Sequence, residues 1–409
     1  MVNVKREATL TLIPFAKQYL RINEALPFGL RDVDGRLLLA AGTCIENEST
    51  LSGLLGGDLF AYEAESSEWR RRLGAAMDAK MMQNASLQAI TEARPDLVTA
   101  KKVVRENSLA EDWQETVGAL DTLLRDIRPE PTWWVQLQAL HERSVGLHDR
   151  KPDASLYWQI YTAGHSTVNY SSSHSMLCML VAREAALRLS WPDGLINSLS
   201  LAAMAMNVSM RRLMDRLAAA EMRFSAEVRA DILSHPERSA QVLVAASVTD
   251  KTLIQIVRLH HDDTLKAKPL AELDAAQGAA RLLRRVDIFI AKLSKRFNRI
   301  PMSPVQAARE ACLGVAGVPD EIGSALLKAI GMYPPGSCVE LQSGEVGIVV
   351  GRGRQANMPI VAALIGTAGT PLGVPAIRDS ADQRHFVKRA VSTRAMRVVP
   401  PHDSLMSVR

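Results

Sequence analysis

The chain lacks the cysteine pattern of a disulfide framework or a zinc–thiolate site. Its four cysteines, Cys44, Cys178, Cys312 and Cys338, lie far apart and form no C-x-x-C pair. They read as small buried hydrophobes in a reducing compartment. A long apolar run is missing too. No stretch approaches the roughly 20 residues a membrane helix needs, and the apolar segment 199–206 is short enough to be a buried helix instead. The opening residues Met1-Val2-Asn3-Val4-Lys5-Arg6-Glu7 show no apolar core followed by a small-residue cleavage site. Export is therefore not expected, and the reading is a cytoplasmic protein. There is no long basic tract and no interleaving of aromatic with basic residues. With 49 basic against 44 acidic residues the net charge is +5. That mild excess permits anionic partners without pointing to nucleic acid. Internal repeats and low-complexity segments are absent as well.

What is present is ordinary globular material. At 409 residues the chain can hold two or three domains, each with its own core. Its 47% hydrophobic and 23% charged residues argue against wholesale disorder. The expected fold class is mainly α, a helical bundle with a small β domain before it and a β segment after it. Residues 1–65 form the N-terminal β module, where Asp34-Gly35 is a hairpin turn signal followed by Arg36–Ala41 and, later, by Leu59-Phe60-Ala61-Tyr62. Residues 66–155 read as a helical linker region, broken at Pro129-Glu130-Pro131 before a new helix at Trp133-Trp134. Residues 156–335 are dominated by helical periodicity. Ser303-Pro304-Val305-Gln306 matches a capping box with proline at the first helical position, and a later helix stops at Gly331. Residues 336–409 alternate as strands do: Val339 and Leu341, a turn at Ser343-Gly344, then Val346, Ile348 and Val350, with further runs at 360–364 and Val398-Val399.

Nine histidines occur, and His174, His235 and the pair His260-His261 are dispersed through the helical region, with Asp287 beyond them. Imidazoles and a carboxylate projected inward from separate helices are how a bundle builds a metal site. A lone histidine is more often a structural residue satisfied by its neighbours.

With their flanks these residues resemble the HD-GYP family of cyclic di-GMP phosphodiesterases. Tyr170-Ser171-Ser172-Ser173-His174-Ser175 is similar to the family's opening histidine helix, and Ser234-His235-Pro236-Glu237 to its His-Pro motif. Val257-Arg258-Leu259-His260-His261-Asp262 is similar to its paired-histidine motif, and the stretch from Val286-Asp287 to Met302-Ser303-Pro304 to its late Asp helix. The closing segment runs from Ile330 to Ser337, then Val339-Glu340-Leu341 and Gly344-Glu345-Val346-Gly347. The resemblance covers about 165–350, with its motifs in order. The module near 25–65 also resembles a segment found ahead of such domains.

The departures bear on chemistry. Where the family carries its His-Asp doublet and a following Gly-Lys, this chain has Met206-Asn207-Val208-Ser209-Met210. After His261 the GYP segment is replaced by Asp262-Asp263-Thr264-Leu265-Lys266-Ala267-Lys268-Pro269. The resemblance thus implies a degenerate member. Asn207 is neutral where an anionic bridge between two cations is needed, and Met206 is a soft thioether. Losing that bridge should cost a two-metal hydrolysis on the order of a thousandfold or more. No catalytic residue and no cofactor are expected. The alternative is one residual divalent transition metal, iron or manganese, on His174, His235, His260, His261 and Asp287. Against that, Met206 and Met210 would fill the former site and the histidines would bond to one another.

Helical projection of 281–299 places Leu282, Leu283, Val286, Phe289, Ile290, Leu293 and Phe297 on one side. Arg284, Arg285, Lys292 and Arg296 gather opposite, with Arg281, Lys295 and Arg299 beside them. Such a stripe is either a solvated face or a docking surface for an acidic partner protein or an anionic ligand such as cyclic di-GMP. Three functions follow in order: a catalytically impaired binding or interaction module in bacterial cyclic di-GMP signalling, able to form homo-oligomers; a weakly active metal phosphohydrolase; and a nucleic-acid-binding regulator, which lacks any helix-turn-helix or aromatic platform.

Overall fold

Asp34-Gly35 turns the chain where the sequence predicts. In the computed structural model, Gly35 takes φ +80° and the Asp32 side chain accepts from the amides of Asp34 and Arg36 at 3.0 and 2.8 Å. The structure describes residues 11–23, 26–45, 48–83, 85–91, 93, 107–220, 225–297, 299–391 and 398–408. It divides into two units, Met1–Arg105 and Glu106–Arg409. The stretch 66–155, expected as one linker region, is therefore shared between them. Each unit is considered by itself.

In the first unit, strands β1 (Leu12–Pro14), β2 (Leu30–Arg31), β3 (Leu37–Leu39) and β4 (Phe60–Tyr62) form an antiparallel sheet of order β1-β4-β2-β3, with α1 (Glu48–Leu55) before β4. Helix α2 (Glu63–Met82) follows β4 directly, and α3 (Leu87–Thr91) comes next. Trp69 of α2 meets Phe15, Tyr19 and Phe28 at ring separations of 5.4–5.7 Å, which makes an aromatic core under the sheet. Cys44 is exposed here, against the expectation that every cysteine is buried.

The second unit holds a helical bundle that takes in the predicted stretch 156–335 and also two helices from the stretch read as a linker. It runs α4 (Leu109–Arg125), α5 (Pro131–Arg150), α6 (Pro152–His165), α7 (Tyr170–Arg188), α8 (Asp193–Ala205), α9 (Arg211–Ala219), α10 (Ala226–Ala245), α11 (Lys251–Leu259), α12 (Ala275–Leu293), α13 (Pro304–Cys312) and α14 (Glu321–Ile330). Its starts follow local rules: Ser108 and Glu111 form a capping box on α4, Asp274 and Gln277 another on α12, and Ser303 accepts from the Gln306 amide ahead of Pro304. From His174 to Ala182 helix α7 has no exposed side. Met176, Leu177, Cys178, Met179, Leu180 and Val181 are all fully buried, because α4, α6, α8, α12 and α14 surround it. Each buried Leu or Met there contributes roughly 2 kcal/mol.

Strands β5 (Cys338–Leu341), β6 (Val346–Gly351), β7 (Ile360–Ile365), β8 (Pro371–Asp379) and β9 (Val387–Ala390) make an antiparallel sheet of order β8-β7-β6-β5-β9, followed by α15 (His402–Met406). Val398 and Val399, expected as a strand, belong to none. Strands β8 and β9 carry no strong strand signal; β8 holds Pro371, Gly373 and Pro375, which a strand tolerates at a sheet edge, and it lies at one. No helix among the described residues is long and apolar enough to cross a membrane.

Candidate metal site

Pro236 sits inside α10 and has no N–H to donate to the Ile232 carbonyl four residues back. His235 uses that carbonyl instead: its Nδ1 donates to Ile232 O at 2.6 Å. His260 caps the end of α11, where the last carbonyls have no helical donor, and its Nδ1 donates to Val257 O at 2.7 Å. Both rings are thereby turned so that Nε2 faces inward, and the two Nε2 atoms lie 3.1 Å apart. Burial pushes His260 down to about 3 and lowers His235, so both are neutral imidazoles at neutral pH. Two lone pairs therefore face each other. A backbone-anchored Nδ1 with a free, inward Nε2 is the arrangement in which histidine binds metals. His261 completes a triad whose donor atoms lie within 4.8 Å of one another.

A second triad adjoins it. His174 Nε2 donates to Asp287 Oδ1 at 2.8 Å, and the Cys178 sulfur lies 3.4 Å from the same nitrogen. His261 Nε2 is 3.9 Å from Asp287 Oδ2, so all five predicted residues, His174, His235, His260, His261 and Asp287, meet in one region. Burial works against ionisation of Asp287, yet the hydrogen bond and charge of His174 outweigh it and hold the carboxyl well below its ordinary range. Cys178 was not singled out from sequence. The available signal was its spacing: position i+4 from His174 on one helix shares a face.

Arg284, read from sequence as part of the exposed stripe, also enters this region. Its Nη1 lies 3.5 Å from Asp287 Oδ2 and 3.2 Å from His261 Nε2. His261 is pushed down to about 4, first by burial and then by this guanidinium.

The segment that departs from the family pattern is also placed. Met206 is fully buried and ends α8, and Asn207 is buried and opens a short 3₁₀ turn over Val208–Met210. Ser209 ties that turn to α10 through His235 O at 3.1 Å and Ser239 Oγ at 2.9 Å. Met210 packs against Tyr170, Met214 and Ala218. The donors fit one nitrogen-rich ion. They do not fit a two-metal centre, since the only carboxylate of the two triads is Asp287 and both its oxygens already face partners.

The basic stripe is not one surface. Helix α12 ends at Leu293, where Ser294 turns extended, so Lys295, Arg296 and Arg299 leave the helical projection. The apolar face through Leu293 is buried as predicted, but Phe297 is exposed. Arg285 and Arg281 both pair with Asp320, with Arg285 Nη2 at 2.8 Å and Arg281 Nη2 at 2.7 Å from Oδ2. Lys292 pairs with Glu310 at 2.6 Å, and Arg296 Nε donates to the Tyr170 hydroxyl at 2.8 Å. A cleft of about 640 Å³ lies beside Arg281, Asp320, Ser324 and Lys328, and no histidine lines it.

No protein-family model matches the chain. It is similar to a cyclic di-GMP phosphodiesterase of Pseudomonas aeruginosa, 23% identical over 185 residues, a stretch that spans 44% of this chain and 44% of that protein. Among solved structures it is similar to an HDG"Y"P protein from Bdellovibrio bacteriovorus, 14% identical, with 77% of this chain and 98% of that one covered at a TM-score of 0.39.

Proposed function

We propose that this chain is a degenerate HD-GYP-like protein that serves as a binding or interaction module in bacterial cyclic di-GMP signalling and does not turn the dinucleotide over. The observation that carries the reading is the pair Met206 and Asn207, both buried just before the Ser209 turn that bonds to α10, where the resembled motif has its metal-bridging doublet. The similarity to a cyclic di-GMP phosphodiesterase supports the ligand class. Without an anionic bridge, two divalent ions have nothing to hold them together, and no hydroxide is generated between them. Binding of an anionic ligand does not need that bridge.

A second reading, one divalent iron or manganese ion without efficient turnover, is favoured by the facing Nε2 atoms of His235 and His260. The two are separated by metal analysis of the purified protein combined with a cyclic di-GMP hydrolysis assay and a binding titration. The expected outcome is measurable association and no product with added manganese or iron. Two tightly held metal ions with turnover would overturn the proposal; a single ion lost to chelator, still without turnover, selects the second reading.

A further inference from the structure

We propose that Arg284 is a built-in cation of the histidine site: it satisfies Asp287 in place of a metal ion and closes the carboxylate side of the site to one. Arg284 lies one turn before Asp287 on α12, a spacing that brings the two side chains to the same face. Its Nη1 is 3.5 Å from Asp287 Oδ2. The other carboxylate oxygen, Oδ1, is taken by His174 at 2.8 Å. Asp287 therefore has a partner on each oxygen.

His261 is engaged from the same side. Arg284 Nη1 lies 3.2 Å from its Nε2 and 3.4 Å from its Nδ1, so whichever nitrogen carries the lone pair meets a guanidinium hydrogen. The side chain is 29% exposed, and its Nε is buried with no hydrogen-bond partner among the described residues. The other acid within reach, Asp263, is 4.0 Å from that Nε and 78% exposed, hence solvated. The guanidinium is thus committed to the interior.

Asp287 supplies one negative charge, and the fixed guanidinium supplies one positive charge. A divalent ion bound at Asp287 would have to sit beside a cation that cannot dissociate, because the backbone tethers it, and cannot lose its proton. Only the His235–His260 side, which Arg284 does not contact, stays open to nitrogen coordination. This inference concerns metal exclusion alone, and it stands or falls separately from the cyclic di-GMP reading.

The test is uptake of manganese(II) and cobalt(II) by the full-length protein, followed by titration calorimetry and by elemental analysis after desalting. Arg284→Gln keeps a polar side chain and removes the charge. It is expected to gain an additional metal equivalent, or to bind at least tenfold more tightly, and Asp287→Asn in the same background should abolish that gain. Arg284→Lys, which retains a cation, should behave as the native protein does. Unchanged uptake by a folded Arg284→Gln protein would overturn the proposal. Should Arg284→Gln fail to fold, the native protein still decides. If Asp287→Asn alone lowers native metal uptake, the carboxylate is a ligand despite Arg284 and the idea is wrong; if uptake is unaffected, the carboxylate side is closed as proposed.

Discussion

Pro236 removes one backbone donor from α10, and the residue before it takes over the stranded carbonyl. That exchange decides which way the His235 ring points. A comparable economy governs Glu184, buried on α7 between His148 Nε2 at 2.9 Å and Arg352 Nη1 at 2.7 Å. Burial works to raise its pKa, but the hydrogen bond with His148 and the charge and hydrogen bonds of Arg352 lower it from 4.5 to about 2. The folded value lies below the unfolded one, so the stability it confers is present above pH 4.5 and is lost as pH falls from there toward 2. A shift of that size corresponds to on the order of 3 kcal/mol. Denaturant unfolding across pH 2–6 should show Glu184→Gln less stable than the native protein near pH 6, with the difference shrinking toward pH 2. Parallel profiles would show that the pair contributes nothing pH-dependent.

Helix α12 shows how a correct periodicity yields a wrong surface. Its apolar residues through Leu293 are buried as the projection requires, yet four of the basic residues opposite, Arg281, Arg284, Arg285 and Lys292, find carboxylates, three of them on other elements. Asp320 receives both Arg281 and Arg285 while its Oδ1 caps α14 by accepting the Gly323 amide at 2.8 Å. Arg285→Glu would place a second carboxylate beside that cap. It is expected to cost roughly 2–4 kcal/mol in thermal or denaturant unfolding, as for breaking a largely buried pair. Lys292→Glu, facing Glu310 at a partly exposed site, should cost less than about 1 kcal/mol. Equal, small effects at both positions would return Arg285 to the status of a surface charge.

At the scale of the molecule, the unit Glu106–Arg409 contains its own cores, and its sheet is joined to the bundle by a shared apolar cluster around Tyr157 and by Arg352. Arg352, just past β6, reaches Asp153 of α6 at 2.5 Å, Glu184 of α7 at 2.7 Å and the Ala329 carbonyl of α14 at 2.7 Å. Tyr157 of α6 bonds His402 of α15 at 2.8 Å. Residues 106–409 produced alone should therefore unfold in a single cooperative transition by circular dichroism, and Arg352→Ala should lower its midpoint without splitting it. A molten, non-cooperative melt of 106–409 would show that its fold depends on residues 1–105.

What the sequence determined by itself is the local grammar: the Asp34-Gly35 turn, the capped start of α13, the stop at Gly331, the alternation of β5 and β6, and the histidines with Asp287. These depend on neighbours a few residues away, through φ preferences, orphan amides and face periodicity. Strand β8 was illegible because its pairing with β7, not its proline- and glycine-containing composition, makes it a strand. Only the tertiary structure decided that Cys178 joins His174 and Asp287, that His235 and His260 face each other, and that Arg284 turns inward. Those outcomes depend on which helices cross α7 and α12, and charges far apart in sequence pair according to that crossing. A helical projection shows which side a residue is on, but the packing partner determines whether that side is solvent.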